Sequence, residues 1–170
     1  MEALIHKAKG IRWVLTDCDG VLTDGGVYYS ESGEAMKRFH MRDGMGVKRL
    51  RLAGIETAIV TGESSPSIVK RAEKLGIQEV HLASRNKIQV VTAILDRLGL
   101  GWQQVAYIGD DVNDLAVLRK VGLSACPSDA VETIKANVSA VLSLKGGQGV
   151  FREFAEIILS ATDLSPEAHA

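Results

Sequence analysis

In the stretch Arg12-Trp13-Val14-Leu15-Thr16-Asp17-Cys18-Asp19-Gly20-Val21-Leu22-Thr23-Asp24-Gly25, a short apolar run ends in two carboxylates two positions apart and then a glycine. This is the pattern of a buried strand that stops at a charged edge. Side chains two apart on a strand share a face, so Asp17 and Asp19 converge at the strand's carboxyl end, where open α/β sheets hold their ligands. The same residues also suit a turn with solvated acids. The rest of the chain has to separate these readings.

Downstream the rhythm is regular. Strands are expected at Ile55–Val60, Val80–Leu82 and Val105–Ile108, with shorter ones at Leu123–Ala125 and Ala140–Leu142. Helices are expected at Met45–Ala53, Ser64–Leu75, Lys87–Leu98, Val112–Lys120, about Asp129–Ala136 and Val150–Ser160, several of them stopped by a glycine, and a polar tail follows. Strands alternating with helices of this length require right-handed crossovers and a parallel sheet covered on both faces. The expectation is a doubly wound, Rossmann-like α/β fold. Between the first strand and the first helix, two short alternating runs around Ser30-Glu31-Ser32-Gly33-Glu34 form a β-hairpin, placed as a flap over the site. A hairpin alone in water is barely stable, so it should pack on the body or on another subunit.

With 170 residues, 46% of them hydrophobic, and no Pro- or Ser-rich linker, the chain is expected to form one domain over 1–170. Its 20 basic and 21 acidic residues are dispersed, which argues against nucleic acid as a partner. No window approaches a membrane span, and the expectation is a soluble cytoplasmic protein. Cys18 and Cys126 belong to no Cys/His cluster, and both read as small core residues. There is no GxGxxG after the first strand and no GxxxxGK[ST], which removes the usual support for dinucleotide or P-loop chemistry.

Four strand ends carry polar residues: Asp17 and Asp19; Thr61-Gly62; the Lys87 region; and Asp110-Asp111 with Asp114. In a doubly wound sheet these ends lie along one edge, so the groups can meet in one crevice. Several carboxylates there repel one another unless a cation sits among them, and a hard, all-oxygen donor set favours magnesium. Each residue also has a structural reading. Thr61-Gly62 is a common turn pair, Lys87 suits a solvated helix position, and Asp110 or Asp111 suits a helix N-cap.

Through Asp17-Cys18-Asp19-Gly20-Val21, Thr61-Gly62, Lys87 and Gly109-Asp110-Asp111-Val112-Asn113-Asp114, in that order, the chain resembles the haloacid dehalogenase superfamily of phosphohydrolases. The resemblance implies Asp17 as a nucleophile that forms an aspartyl-phosphate and Asp19 as acid and base. It implies Thr61 and Gly62 as phosphate binders, with Lys87 supplying positive charge. Mg²⁺ would be held by Asp17, the Asp19 carbonyl and Asp110, while Asp111 and Asp114 orient Lys87 or metal-bound water. Intact Asp17 and Asp19 argue against an inactive regulatory relative. A receiver domain would not continue as Asp17-Cys18-Asp19-Gly20-Val21-Leu22-Thr23-Asp24-Gly25, and a mutase lacks the cap it needs here.

The chain is too short for a separate cap domain. Together with the hairpin, Arg42-Asp43-Gly44-Met45-Gly46 and Gly146-Gly147-Gln148-Gly149-Val150-Phe151-Arg152-Glu153 resemble the capless, tetrameric branch that contains 3-deoxy-manno-octulosonate 8-phosphate and nonulosonate 9-phosphate phosphatases. That branch implies a homotetramer in which a neighbouring subunit covers the site, and a sugar acid phosphate as substrate. Arg152 becomes a candidate for the substrate carboxylate, against a salt bridge with Glu156 one turn on. Glu63 and Lys74 resemble the nonulosonate group, which places the nine-carbon substrate ahead of the eight-carbon one; helix-end charges are the competing explanation for both.

Overall fold

Val14 and Leu15 are neighbours in sequence and point to opposite faces of a strand, and both are fully buried. That is possible only in a sheet covered on both sides. In the computed structural model, which describes residues 2–162, β1 (Trp13–Thr16) lies at the centre of a six-stranded parallel sheet. Its neighbours are β4 (Glu56–Val60) and β6 (Val105–Ile108), paired so that Leu15 lies between Ala58 and Tyr107. β5 (Glu79–His81) lies outside β4, while β7 (Leu123–Cys126) and β8 (Ala140–Val141) lie outside β6, giving the order β5-β4-β1-β6-β7-β8. After β1 the chain winds one way to β4 and β5, then returns to the other side of β1. The direction therefore reverses beside β1, at the place where such sheets open a crevice at their carboxyl ends.

The odd and even positions divide the core in two. Val14, Ile59, Ala106 and Ile108 join one cluster with Leu50, Ile68, Phe151, Phe154 and Ile158. Leu15, Ala58, Val60, Val105 and Tyr107 join another with Val91, Ile94, Leu95, Val117 and Ile134. The first is covered by α1 (Glu2–Ala8), α2 (Met41–Leu52), α3 (Pro66–Leu75) and α7 (Val150–Leu159). The second is covered by α4 (Lys87–Leu98), α5 (Leu115–Leu118) and α6 (Glu132–Lys135). Cys18 is fully buried in the first cluster, on the face opposite Leu15, and burial pushes its thiol well up. Among the described residues, no helix is long and apolar enough to cross a membrane.

Several expected boundaries move. The helix expected from Met45 begins at Met41, with His40 as its N-cap, and runs through Gly44 and Gly46. The start moves four residues towards the N-terminus, past Gly44; a Cβ on Gly46 would stand 3.2 Å from the Arg152 Cα, so Gly46 belongs to the close packing of α2 on α7. The segment expected as one helix from Val112 is a 3-10 turn, Val112–Asp114, followed by the single turn of α5. The helix expected near 129–136 shortens to α6. The sequence reading did not anticipate α1, whose one-sided apolar residues pack against the core only after folding. The polar tail lies, from residue 163, outside the described residues.

Outside the main sheet, β2 (Tyr28–Ser30) and β3 (Gly33–Met36) form the expected antiparallel hairpin. Among the described residues, the elements added to the sheet and its helices are these two strands and short 3-10 turns, which amount to a flap and not to a cap domain. Tyr28, Tyr29 and Met36 are 54%, 75% and 58% exposed, which leaves apolar side chains on the hairpin uncovered by the described residues.

Candidate active site

The carboxyl ends of β1, β4 and β6 open into a cleft of about 270 Å³, lined by Asp17, Asp19, Gly20, Gly25, Thr61, Gly62, Glu63, Asp110, Asp111 and Asn113. Asp17 directly follows β1 and keeps the parity of Leu15, so it lies on the side of the sheet that carries Tyr107 and α4. There Lys87, the first residue of α4, is 1% exposed, with its Nζ 2.9 Å from Asp17 Oδ2 and 2.7 Å from Asp114 Oδ1. The Tyr107 hydroxyl donates to the same Asp114 oxygen at 2.5 Å. The other Asp114 oxygen accepts from the Asp110 backbone N–H at 3.2 Å. Asp114 therefore ties Lys87, β6 and the loop after β6 into one buried network. The Cys18 backbone N–H donates to Asp17 Oδ1 at 2.7 Å, so both oxygens of Asp17 are held.

On the cleft's other wall stands Asp19. Its Oδ1 accepts from Lys37 Nζ at 2.7 Å and from the Thr23 hydroxyl at 3.1 Å, whereas Oδ2 is buried without a partner. Gly20 adopts a left-handed φ of +81°, and a Cβ there would stand 2.0 Å from Asp110 Oδ2. Glycine lets the backbone turn after Asp19 and lets Asp110 close on it. Thr61 is buried at the end of β4, its Oγ1 accepting from the Glu63 N–H at 3.2 Å.

The electrostatics reflect crowded acids. Burial, followed by repulsion from Asp114, pushes Asp17 up to about 7, against the lowering effect of Lys87. Burial and the charges of Asp17 and Asp114 push Asp110 up to about 7. Burial would lower Lys87, but Asp17 and Asp114 together hold it above its ordinary value. Oxygens of Asp17, Asp110 and Asp114 lie within 4.8 Å of one another, and Asp110 Oδ1 is buried without a partner. Each Asp114 oxygen already accepts from two donors, whereas each Asp17 oxygen accepts from one and Asp110 Oδ1 from none, so the lone pairs open to a cation are those of Asp17 and Asp110. An orphaned buried carboxylate oxygen beside a second acid fits a hard divalent ion.

Asp17, Asp19, Thr61, Gly62, Lys87, Asp110, Asp111 and Asp114 are thus brought together. The Asp111 carboxylate accepts from the Val112 N–H at 2.7 Å and caps the 3-10 turn; contact with Lys87 is made by Asp114 instead. Glu63 lines the cleft and is exposed. Arg152 does not reach the cleft. Its Nε is 2.5 Å from Glu156 Oε1, an oxygen also held by Arg49 at 2.6 Å, so in this chain the i,i+4 salt bridge occupies the side chain expected to grip a substrate. Lys74 also lies off the cleft, beside Met41, Met45, Lys48 and Arg71. Sequence reasoning missed Tyr107 and Lys37. A tyrosine in an otherwise apolar strand needs a buried partner for its hydroxyl, a usable clue; Lys37 reaches Asp19 from the hairpin, and no local pattern announces it.

A family profile described as haloacid dehalogenase-like hydrolase matches residues 45–122. The chain is 42% identical over 156 residues, 92% of its length and 87% of the relative's, to the 3-deoxy-D-manno-octulosonate 8-phosphate phosphatase KdsC of Haemophilus influenzae. A probable YrbI family phosphatase from Pseudomonas syringae superposes with a TM-score of 0.96 at 38% identity, covering 99% of this chain and 96% of that one. A 3-deoxy-D-manno-octulosonate 8-phosphate phosphatase from Moraxella catarrhalis, solved with magnesium, phosphate and the sugar acid, superposes with a TM-score of 0.93 at 34% identity, covering 96% and 94%. With this likeness over nearly its whole length and the acids and lysine gathered at its strand ends, the chain belongs to the haloacid dehalogenase-like hydrolase family and is a phosphoric monoester hydrolase.

Proposed function

We propose that the protein hydrolyses the terminal phosphomonoester of an eight-carbon acidic keto sugar, 3-deoxy-D-manno-octulosonate 8-phosphate, with Mg²⁺ as its cation, as one hydrolase domain. The observation that carries the chemistry is Lys87, buried and pinned between Asp114 and Asp17, where Asp17 lines a cleft that also holds Asp19. Asp17 attacks phosphorus and forms an aspartyl-phosphate, while Asp19 gives a proton to the departing sugar alkoxide. Water then attacks the phosphoenzyme; Asp19 takes its proton, phosphate leaves, and Asp17 is regenerated. Lys87 compensates charge building on the phosphoryl oxygens, and Asp114 with Tyr107 keeps its ammonium aimed at Asp17. Thr61 and Gly62, where β4 ends, bind the phosphoryl group. Asp17, Asp110 and the Asp19 carbonyl would hold the cation, which supplies charge neutralisation between the acids and the incoming phosphate. Asp111, beside them in the cleft, would orient metal-bound water.

The eight-carbon substrate moves ahead of the nine-carbon one because the relatives from Haemophilus influenzae and Moraxella catarrhalis carry the name of that activity. A nonulosonate 9-phosphate remains the second reading, favoured by the acid Glu63 on the cleft wall. Lys74 and Arg152 lie off the cleft of their own chain, so a part in specificity requires them to come from a neighbouring copy. A homotetramer would bring one and would cover the exposed hairpin face.

The test is magnesium-dependent phosphate release, comparing kcat/KM for an octulosonate 8-phosphate, a nonulosonate 9-phosphate and a hexose phosphate. A tenfold preference, about 1.4 kcal/mol of transition-state binding, decides between the sugars. If the nine-carbon acid wins, Glu63→Arg should reduce that preference; no release from any of the three refutes the reading.

A further inference from the structure

Lys37 follows directly on β3, at the root of the hairpin, and its side chain is only 1% exposed. A lysine is seldom buried so fully without a charge to answer. Its ammonium lies 2.7 Å from Asp19 Oδ1 and 3.8 Å from Glu34 Oε2. The other Glu34 oxygen accepts from the hydroxyl of Ser65, the N-cap of α3. The root of the flap is therefore fastened to both sides of the cleft, to Asp19 on one and to the helix after Thr61-Gly62 on the other.

The two oxygens of Asp19 are treated unequally. Oδ1 accepts from Lys37 and from Thr23, whose own Oγ1 is steadied by the Gly25 N–H at 3.2 Å. Oδ2 is buried and has no partner among the described residues. A general acid must present its proton to the leaving oxygen, and a carboxyl free to turn about its terminal bond would spend part of its time presenting the wrong one. With Oδ1 occupied by an ammonium and a hydroxyl, Oδ2 is the oxygen left without a donor among the described residues.

We infer that Lys37 is a positioning residue for the reaction: with Thr23 it locks the Asp19 carboxyl so that Oδ2 is the oxygen that exchanges protons with the substrate. The root of the flap thereby takes part in the chemistry. This inference rests on the reading of Asp19 as acid and base.

The experiment compares two leaving groups at saturating magnesium. A sugar acid phosphate is an alkyl ester whose alkoxide needs a proton to leave, whereas p-nitrophenolate leaves without one. For both esters kcat/KM reports steps through departure of the leaving group, so later hydrolysis of the shared phosphoenzyme drops out. Lys37→Met should lower kcat/KM for the sugar phosphate about tenfold or more beyond its effect on p-nitrophenyl phosphate, within the range of general acid catalysis. Lys37→Arg should restore most of the difference, and Thr23→Val should shift the ratio the same way by a smaller factor. Equal losses on the two esters overturn the inference. Should Lys37→Met fail to fold, Thr23→Val decides by the same criterion. Asp19→Asn separates the two failures: a selective loss there with an equal loss in Lys37→Met sinks the inference alone, and an equal loss in Asp19→Asn sinks the acid reading with it.

Discussion

Replacing Asp110 by Asn in the metal-free protein should make it more stable near neutral pH and less able to gain from magnesium. Burial, then Asp17 and Asp114, push the Asp110 carboxyl from 3.8 to about 7. Because the folded value lies above the unfolded one, the stability this group contributes is fully present below about pH 4. It is lost as pH rises towards 7, and above that the ionised acid is simply a burden. Three pKa units correspond to about 4 kcal/mol. Asp110 lines an open cleft, so solvent screening brings the expected burden to roughly 2 kcal/mol. For a chain of this length that is a gain of about 4–8 °C in Tm. Circular dichroism melts in EDTA should therefore show Asp110→Asn above wild type at pH 8, with the gap narrowing towards pH 5. Adding magnesium should raise the wild type more than the variant, since the ion stabilises by binding the folded chain. A variant no more stable than wild type at pH 8, or an equal gap at both pH values, refutes the reasoning.

Two further outcomes are expected. Asp17→Asn should cut phosphate release by at least about 10³-fold while the melting transition persists, because it removes the attacking oxygen and leaves the packing intact; unchanged turnover would exclude Asp17 as the nucleophile. Light scattering should give a tetramer in solution, with Tyr28, Tyr29 and Met36 losing exposure on assembly, and a monomer would sink the shared-site role of Lys74 and Arg152.

The local glycines illustrate how folding reinterprets sequence. Gly44, expected ahead of the helix, lies inside α2 with Gly46, where the close approach of α2 to α7 leaves little room for a larger residue at Gly46. Gly146 reads as part of a loose Gly-rich loop, yet a Cβ there would stand 2.0 Å from the Gly20 carbonyl oxygen. That loop is packed against the backbone that follows Asp19.

The alternation of Val14, Leu15, Ile59 and Val60 between buried faces, and the acids placed where those strands stop, are properties of nearest neighbours along the chain, so the parallel sheet and the edge bearing its chemistry were legible in the sequence alone. Asp17, Asp19, Thr61, Lys87 and Asp110 could be named as candidates because each follows a strand or opens a helix at that edge. Which atoms meet is a matter of tertiary structure. Packing on Glu156 draws Arg152 away from the cleft, Tyr107 finds Asp114 across a turn, and the hairpin carries Lys37 across to Asp19. The Arg152–Glu156 pair lies along one helix and could be weighed from the sequence, whereas Tyr107 and Lys37 meet Asp114 and Asp19 in surroundings that become buried only when the sheet, its helices and the hairpin close.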